Sequence, residues 1–377
     1  MTMDLSARLS RLARITQTTA PVVSVYLDTR WTDQHQRDRV RVFLRREIKR
    51  AREAWSGRAI GAALDWIEAQ GEALVKQAQL PNAHGVALFA CEAPEIREIL
   101  PFRTPFEDAF VVTDMPYLGP LAAVADETPV TLLVFVDGES ARLIPLAPEG
   151  ARDEVVLESE VPGHHRRGGW AQLAQSRYQR HIEDHRGRHF EAVADALVQL
   201  TEGNGVRHVV LAGDAGTLAA FRKHVPAPIA ERIVGSVTGA RYETAAALLD
   251  RAGEVVAQRE REEARVAVDL VLTEAAKGGR AVAGLEETLE AVSRGAVRRL
   301  FVLKGFREAG RACGGCGTLH AGAEGPCRLC GQATSALDLG AAMTARTLAG
   351  GGAVTTLEDH GGLAHVGWVA ALLRYPL

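Results

Sequence analysis

Two CxxC pairs constrain this chain more than any other feature. Cys313-Gly-Gly-Cys316 and Cys327-Arg-Leu-Cys330 are separated by ten residues. Each CxxC turn presents two thiolates on one side, and zinc takes four thiolates in a tetrahedron. Gly317 and Gly331 follow the second cysteine of each pair, and a small residue there lets backbone N–H groups approach the sulfurs. The spacing predicts a structural four-cysteine zinc ribbon over residues 311–333, with every ligand supplied by protein. The other readings are a redox dithiol or two disulfides. A redox CxxC normally starts a helix in a thioredoxin-like context, which is missing here. His320, in the intervening loop, reads as a solvent-exposed residue and not as a ligand. The fifth cysteine, Cys91, ends an apolar segment and reads as a packed small residue.

Composition bounds the rest. A chain of 377 residues suggests two or three domains. At 47% hydrophobic and 24% charged it can build packed cores. Its formal net charge of -3 means that any RNA-binding surface must be local. Residues 1–14 lack the unbroken apolar core of a signal peptide, and no run of about 18 apolar residues exists to span a membrane. Clustered cysteines also argue against a disulfide-stapled secreted protein. The cytoplasm is the expected location.

The pattern predicts an α/β protein of three domains. In residues 1–126, Pro21–Asp28 and His84–Ala90 read as strands, and Val40, Leu44, Ile48, Ala51 and Trp55 recur at helical spacing. Residues 127–265 open with the strand VTLLVFVD and a return arm; after a long helix comes the buried strand VRHVVLA. Alternating strands and helices imply a layered α/β domain. Residues 266–377 read as a helix over 281–293, a strand at 299–303, and then the ribbon as a peripheral insertion.

A second cluster lies in the central segment. Residues 164–180 read HHRRGGWAQLAQSRYQR, and between His164 and His189 there are six arginines, two acidic residues and five of the 12 histidines. Gly168 and Gly169 permit close backbone approaches. A basic, glycine-tipped loop carrying Trp170 suits phosphate contact and base stacking. A solvated loop before an amphipathic helix is the bland reading. His164 and His165 read as polar loop residues more than as a catalytic pair. Residues 37–53 carry eight basic and three acidic residues on a helix; a solvated face is the usual meaning, and RNA contact is the alternative.

The stretch RRGGWAQLAQSRYQR resembles the GGQ loop and following helix of archaeal and eukaryotic class I release factors. Gly284–Leu303 resembles their third domain, whose archaeal members carry two CxxC pairs at this point. The end, HVGWVAALLRYPL, is similar to the family's closing Gly-Ile-Ala-Ala-Ile-Leu-Arg-Tyr. The resemblance covers about residues 130–377 and points to a bacterial branch that is Pelota- and Balon-like.

Two departures matter. The family's catalytic Gln is Trp170 here, which keeps a backbone N–H but has no amide carbonyl to orient water. Residues 1–126 contain no Asn-Ile-Lys-Ser-like motif for reading stop codons. The resemblance therefore implies a non-catalytic factor in the ribosomal A site, in hibernation or rescue. Arg166, Arg167, Gly168, Gly169, Trp170, Arg177 and Arg180 would face ribosomal RNA and the P-site tRNA end. The alternative is a peptidyl-tRNA hydrolase using the Gly-Gly backbone and a side chain such as Gln172; a nucleic-acid module unrelated to decoding is the third reading. No GxxxxGK[ST] loop is present, so the chain is not itself a GTPase; the resemblance implies a separate translational GTPase such as EF-Tu as partner.

Overall fold

The computed structural model describes all residues except 1–4, 17, 32–33, 77–83, 149, 152–153, 159–170, 204 and 323. They form two compact units, Met1–Glu127 with Arg261–Leu377, and Thr128–Glu260. The first and third sequence segments thus share one unit.

The first segment runs α1 (Leu5–Ala13), β1 (Val22–Asp28), α2 (Gln34–Ala54), α3 (Gly61–Lys76), β2 (Gly85–Cys91), β3 (Ile96–Phe102), β4 (Ala109–Thr113) and α4 (Gly119–Glu127). Its sheet is antiparallel, ordered β3-β2-β1-β4. Strand alternation sends Val23, Val25 and Leu27 toward α2 and α3, and Val22 and Tyr26 toward α1. The helix α1 falls in a stretch where polar and apolar residues alternate. Its Leu5, Leu9 and Leu12, at i, i+4 and i+7, are buried. Gly71 lets α3 approach α2 closely, because a Cβ there would lie 2.4 Å from Leu44 Cδ1.

The central unit contains β5 (Thr131–Val136), β6 (Ser140–Ala147), β7 (Gly150–Ala151), β8 (Val155–Glu158), α5 (Ala171–Gly203), β9 (His208–Ala212), α6 (Ala215–Phe221), α7 (Ala227–Ala230) and β10 (Ile233–Val237). The strand order is β10-β9-β5-β6-β7, with β8 also on β6. The β5/β9 and β9/β10 pairs are parallel. On one face Phe190, Val193 and Leu197 of α5 cover Leu132, Val134 and Leu211. On the other, α8 (Ala245–Ala276) lays Leu248, Leu249, Ala252 and Val256 against Leu133, Phe135 and Val210. This is a three-layer α/β sandwich. Helix α8 runs unbroken across the division at Glu260 and Arg261.

The last segment adds β11 (Ala281–Ala283), α9 (Leu285–Ser293), β12 (Val297–Leu303), β13 (Ala309–Cys313), β14 (Leu319–Ala321), β15 (Thr334–Asp338), α10 (Leu339–Ala349), β16 (Ala353–Leu357), α11 (Gly361–His365) and β17 (Val369–Leu373). One sheet is ordered β11-β17-β12-β16 and a smaller one β14-β13-β15. The helix expected over 281–293 begins at Leu285; Ala281–Ala283 instead pairs with β17. Within this unit α4 packs beside β16 and α1 beside α10. Ala122 enters the core beneath α10, while Leu348 and Ala349 touch the core of the first segment. These apolar contacts are the physical reason the two segments form one unit.

Candidate functional site

The small sheet positions the cysteines. Strand β13 ends at Cys313, whose partner across the ladder is Thr334 of β15. The chain then turns through Gly314 and Gly315 to Cys316, and the second turn runs from Cys327 to Cys330. In the first turn the N–H groups of Gly315 and Cys316 donate to Cys313 Sγ at 3.3 and 3.4 Å. In the second, Leu329 N–H donates to Cys327 Sγ at 3.4 Å. Each turn closes on its glycine. Gly317 N–H donates to Cys313 O at 3.1 Å, and Gly331 N–H to Cys327 O at 2.9 Å. Their φ values of 75 and 72 explain why glycine stands at both places.

All four sulfurs lie within 4.8 Å of one another. The closest separations are 3.4 Å for Cys313–Cys330, and 3.5 Å for Cys316–Cys327 and Cys316–Cys330. A tetrahedral zinc with four bonds of about 2.3 Å would set sulfurs about 3.8 Å apart, so the donor set fits a four-coordinate thiophilic cation. A disulfide needs about 2.05 Å, and all four thiols are free. Neither pair starts a helix, which removes the context of a redox CxxC.

Electrostatics point the same way. The Thr318 hydroxyl and backbone N–H lower the Cys316 thiol to about 6. Hydrogen bonds from Cys316 N–H, and then from Gly315 N–H, hold Cys313 below its usual value against desolvation. For Cys330, the Gln332 N–H favours the thiolate. Its hydrogen bonds with Cys313 and Cys316 outweigh that and push it up to about 12. Four sulfurs this close cannot all ionise without a positive charge among them.

His320 is buried, contrary to the exposed loop residue expected. Its Nε2 lies 3.3 Å from Cys327 Sγ. The residue belongs to β14, which pairs with β13 and so turns it inward. Arg311, on β13, is a supporting residue missed in the sequence. It is buried and its Nη1 donates to Ala321 O and Gly322 O at 2.7 and 2.8 Å, pinning the loop between the pairs. The ribbon is not a peripheral appendage. Ala312 and Leu319 lie in the core with α9 and α10, and Leu319 N–H donates to Ser293 Oγ at 3.1 Å. A cleft of about 380 Å³ beside the first turn is lined also by Thr16, Met115 and Arg346. Burial lowers the Arg346 pKa, and the Cys316 sulfur opposes that shift.

Of the basic loop, Arg166, Arg167, Gly168, Gly169 and Trp170 lie outside the described residues, as do His164 and His165. Arg177 and Arg180 fall on α5, which begins at Ala171, in a stretch described by its backbone alone. Two members of the 164–189 cluster are structural. Arg186 donates to Thr217 Oγ1 at 3.0 Å and lies 5.2 Å over the Phe190 ring. His189 is buried, and burial lowers its pKa. Cys91 is buried and donates from Sγ to Ala20 O at 3.3 Å; burial raises its pKa.

The basic segment that leads into α5 lies within a stretch that matches a known family model. The match is specific: residues 116–278 fit the family called bacterial archaeo-eukaryotic release factor family 10. The chain is release-factor-like over that stretch, which is less than half its length. Comparison with curated proteins gives no match. Among solved structures, the archaeal termination factor aRF1 is 18% identical, covering 99% of each chain at a TM-score of 0.28. Pelota of Archaeoglobus fulgidus is 14% identical, covering 100% of this chain and 94% of its own at 0.37. An archaeal Pelota described as ribosome-bound with ABCE1 is 14% identical, covering 100% and 96% at 0.40.

Proposed function

We propose that this protein is a cytoplasmic, ribosome-binding factor that occupies a vacant A site without catalysing peptide release, in hibernation or rescue. The observation that carries this reading is the family match over residues 116–278, which contains the Gly168-Gly169-Trp170 tip. Trp170 takes the place of the glutamine that would orient water, and its indole can stack on an RNA base or on the tRNA end. Arg166, Arg167, Arg177 and Arg180 supply phosphate contacts. Cys313, Cys316, Cys327 and Cys330 hold a structural zinc that supplies no chemistry and fixes the ribbon. A translational GTPase such as EF-Tu is the proposed delivery partner, and the segments 1–126, 127–265 and 266–377 are the proposed functional divisions.

Co-sedimentation of the full chain with vacant ribosomes tests the reading. Binding is expected, with no ester cleavage when the ribosomes carry peptidyl-tRNA. Cleavage by the wild type, lost in Gln172→Ala, would replace it with the hydrolase alternative. Binding to free RNA as tight as to assembled ribosomes would leave only a general nucleic-acid module.

A further inference from the structure

Helix α2 presents a face that its own packing does not explain. Val40, Leu44, Ile48 and Ala51 are buried against the first sheet and α3. Helical spacing puts Arg39, Val42, Arg46, Lys49, Arg50 and Glu53 on the opposite side, and all six are exposed. Four of them are cations and one is an acid. The flanks differ. Arg41 and Arg45 lie 3.6 and 2.8 Å from Glu72 of α3, and Arg52 lies 2.5 Å from Asp65. On the outer face Arg46 and Arg50 share one carboxylate, Glu47, at 2.8 and 3.1 Å. Among the described residues Arg39 and Lys49 make no ion pair within 4.0 Å.

Some of these charges repel one another along the helix. Arg46 and Arg50 stand at i and i+4, as do Arg45 and Lys49, and like charges at that spacing are destabilising. The first turn has no acidic residue to favour the positive end of the helix. A face this cationic is not needed to pack α2 against the first sheet and α3.

We infer that the outer face of α2 binds the phosphate backbone of double-helical RNA. From Arg39 to Arg50 the face runs about 17 Å at 1.5 Å per residue, long enough to meet several phosphates. It lacks the exposed aromatic platform that single strands stack on; Phe43 is half-buried and stacked with Arg46. It also lacks the apolar stripe that a lipid surface requires, since Val42 is its one exposed aliphatic residue. The choice of RNA over DNA rests on the ribosome-binding reading; the phosphate chemistry does not.

The test uses the full chain and a fluorescein-labelled RNA duplex of about 16 base pairs, read by anisotropy across salt. The variant R39Q/R46Q/K49Q/R50Q is expected to bind at least about tenfold more weakly at low salt. Its salt slope should be shallower by about 3.6, because four phosphate contacts at about 0.9 each are lost. A control, R222Q/K223Q/K277Q/R280Q, removes the same formal charge elsewhere and should change affinity less than about threefold. The charge-preserving R39K/R46K/R50K should keep the wild-type slope. The melting temperature of the first variant should change little, because the lost pairs to Glu47 and the relieved repulsions are both small on an exposed face. The inference is overturned if the α2 variant keeps wild-type affinity and slope, or if the control loses as much. It is equally overturned if a DNA duplex or anionic vesicles bind more tightly than the RNA. Ribosome binding is scored separately: its loss with duplex binding intact defeats the A-site reading alone.

Discussion

The central sheet and the cysteine ribbon solve one problem in opposite ways. In the central unit, Leu132, Val134 and Leu211 are covered by Phe190 and Leu197, while Leu133, Phe135 and Val210 are covered by α8. Burial of that kind stabilises by roughly 25 cal/mol per Å² of apolar surface. Between Cys313 and Cys330 the only large aliphatic side chains are Leu319, which is buried, and Leu329, which is 75% exposed. Most of that segment has no core to join. It is organised by sulfurs, by N–H groups aimed at them, and by Arg311. One region should therefore be indifferent to metal and the other dependent on it.

Removing a sulfur is the strongest way to break this contrast. Cys316→Ser should lower bound zinc from one per chain to none, read by mass spectrometry of the purified protein. Apparent zinc free energies in small zinc domains are about 10–16 kcal/mol, so this effect should exceed any single core change. Because Ala312 and Leu319 belong to the core under α10, melting of the ribbon should destabilise the unit Met1–Glu127 with Arg261–Leu377. Hydrogen exchange in β5 and β9 should stay as in the wild type. Stoichiometric zinc in the variant would contradict the ligand set.

The reciprocal change comes next in size. Phe190→Ala empties a site against Phe221 and His224, whose rings lie 5.6 Å away. The expected loss is about 3–5 kcal/mol, read by urea unfolding, with zinc content unchanged. Zinc loss in this variant would mean that the two regions are not independent. Smaller still is Trp170→Ala. Loss of one stacked base, worth about 1–3 kcal/mol, should weaken ribosome co-sedimentation about ten- to a hundredfold and leave the melting temperature alone. A core tryptophan would do the reverse, lowering the melting temperature and sparing ribosome affinity.

What the sequence disclosed follows from whether the physics is local. The four-cysteine cluster was legible because two turns and their glycines are local events. The strands β1, β2, β5 and β9 were legible as apolar runs between turn residues. His320 was misread because its burial depends on pairing between β13 and β14, which no short window contains. Ala281–Ala283 was taken for helix because its strand identity comes from β17, about ninety residues later. The joining of the first and last segments rests on Ala122, Leu348 and Ala349, residues far apart in the chain. Arg186 and His189 looked like surface charge, yet the former lies over Phe190 and the latter is buried; composition records charge but not direction. Helix α1 went unread, although Leu5, Leu9 and Leu12 repeat at helical spacing.

The finest division between the regions is by pH. Asp137 closes the turn between β5 and β6. Its carboxylate accepts from the N–H groups of Glu139 and Ser140 at 2.8 and 2.7 Å, and from the Ser140 hydroxyl at 3.0 Å. Burial alone would raise its pKa, but those hydrogen bonds, with Arg241 nearby, hold it below the ordinary value. A carboxylate depressed in the folded state contributes stability that is present above its unfolded pKa of about 3.9. That stability is lost as pH falls through the lower folded value. Asp137→Asn should therefore cost about 1 kcal/mol near neutral pH, and the gap to the wild type should close below about pH 4. The ribbon should respond earlier during acidification, because its thiolates protonate and release metal well above that range. Zinc release and central-sheet unfolding, followed together in one acid titration, should thus appear as two steps with zinc first. Only the second should differ between wild type and Asp137→Asn. A gap that is unchanged between pH 7 and the acid range would show that ionisation of Asp137 contributes nothing to the turn.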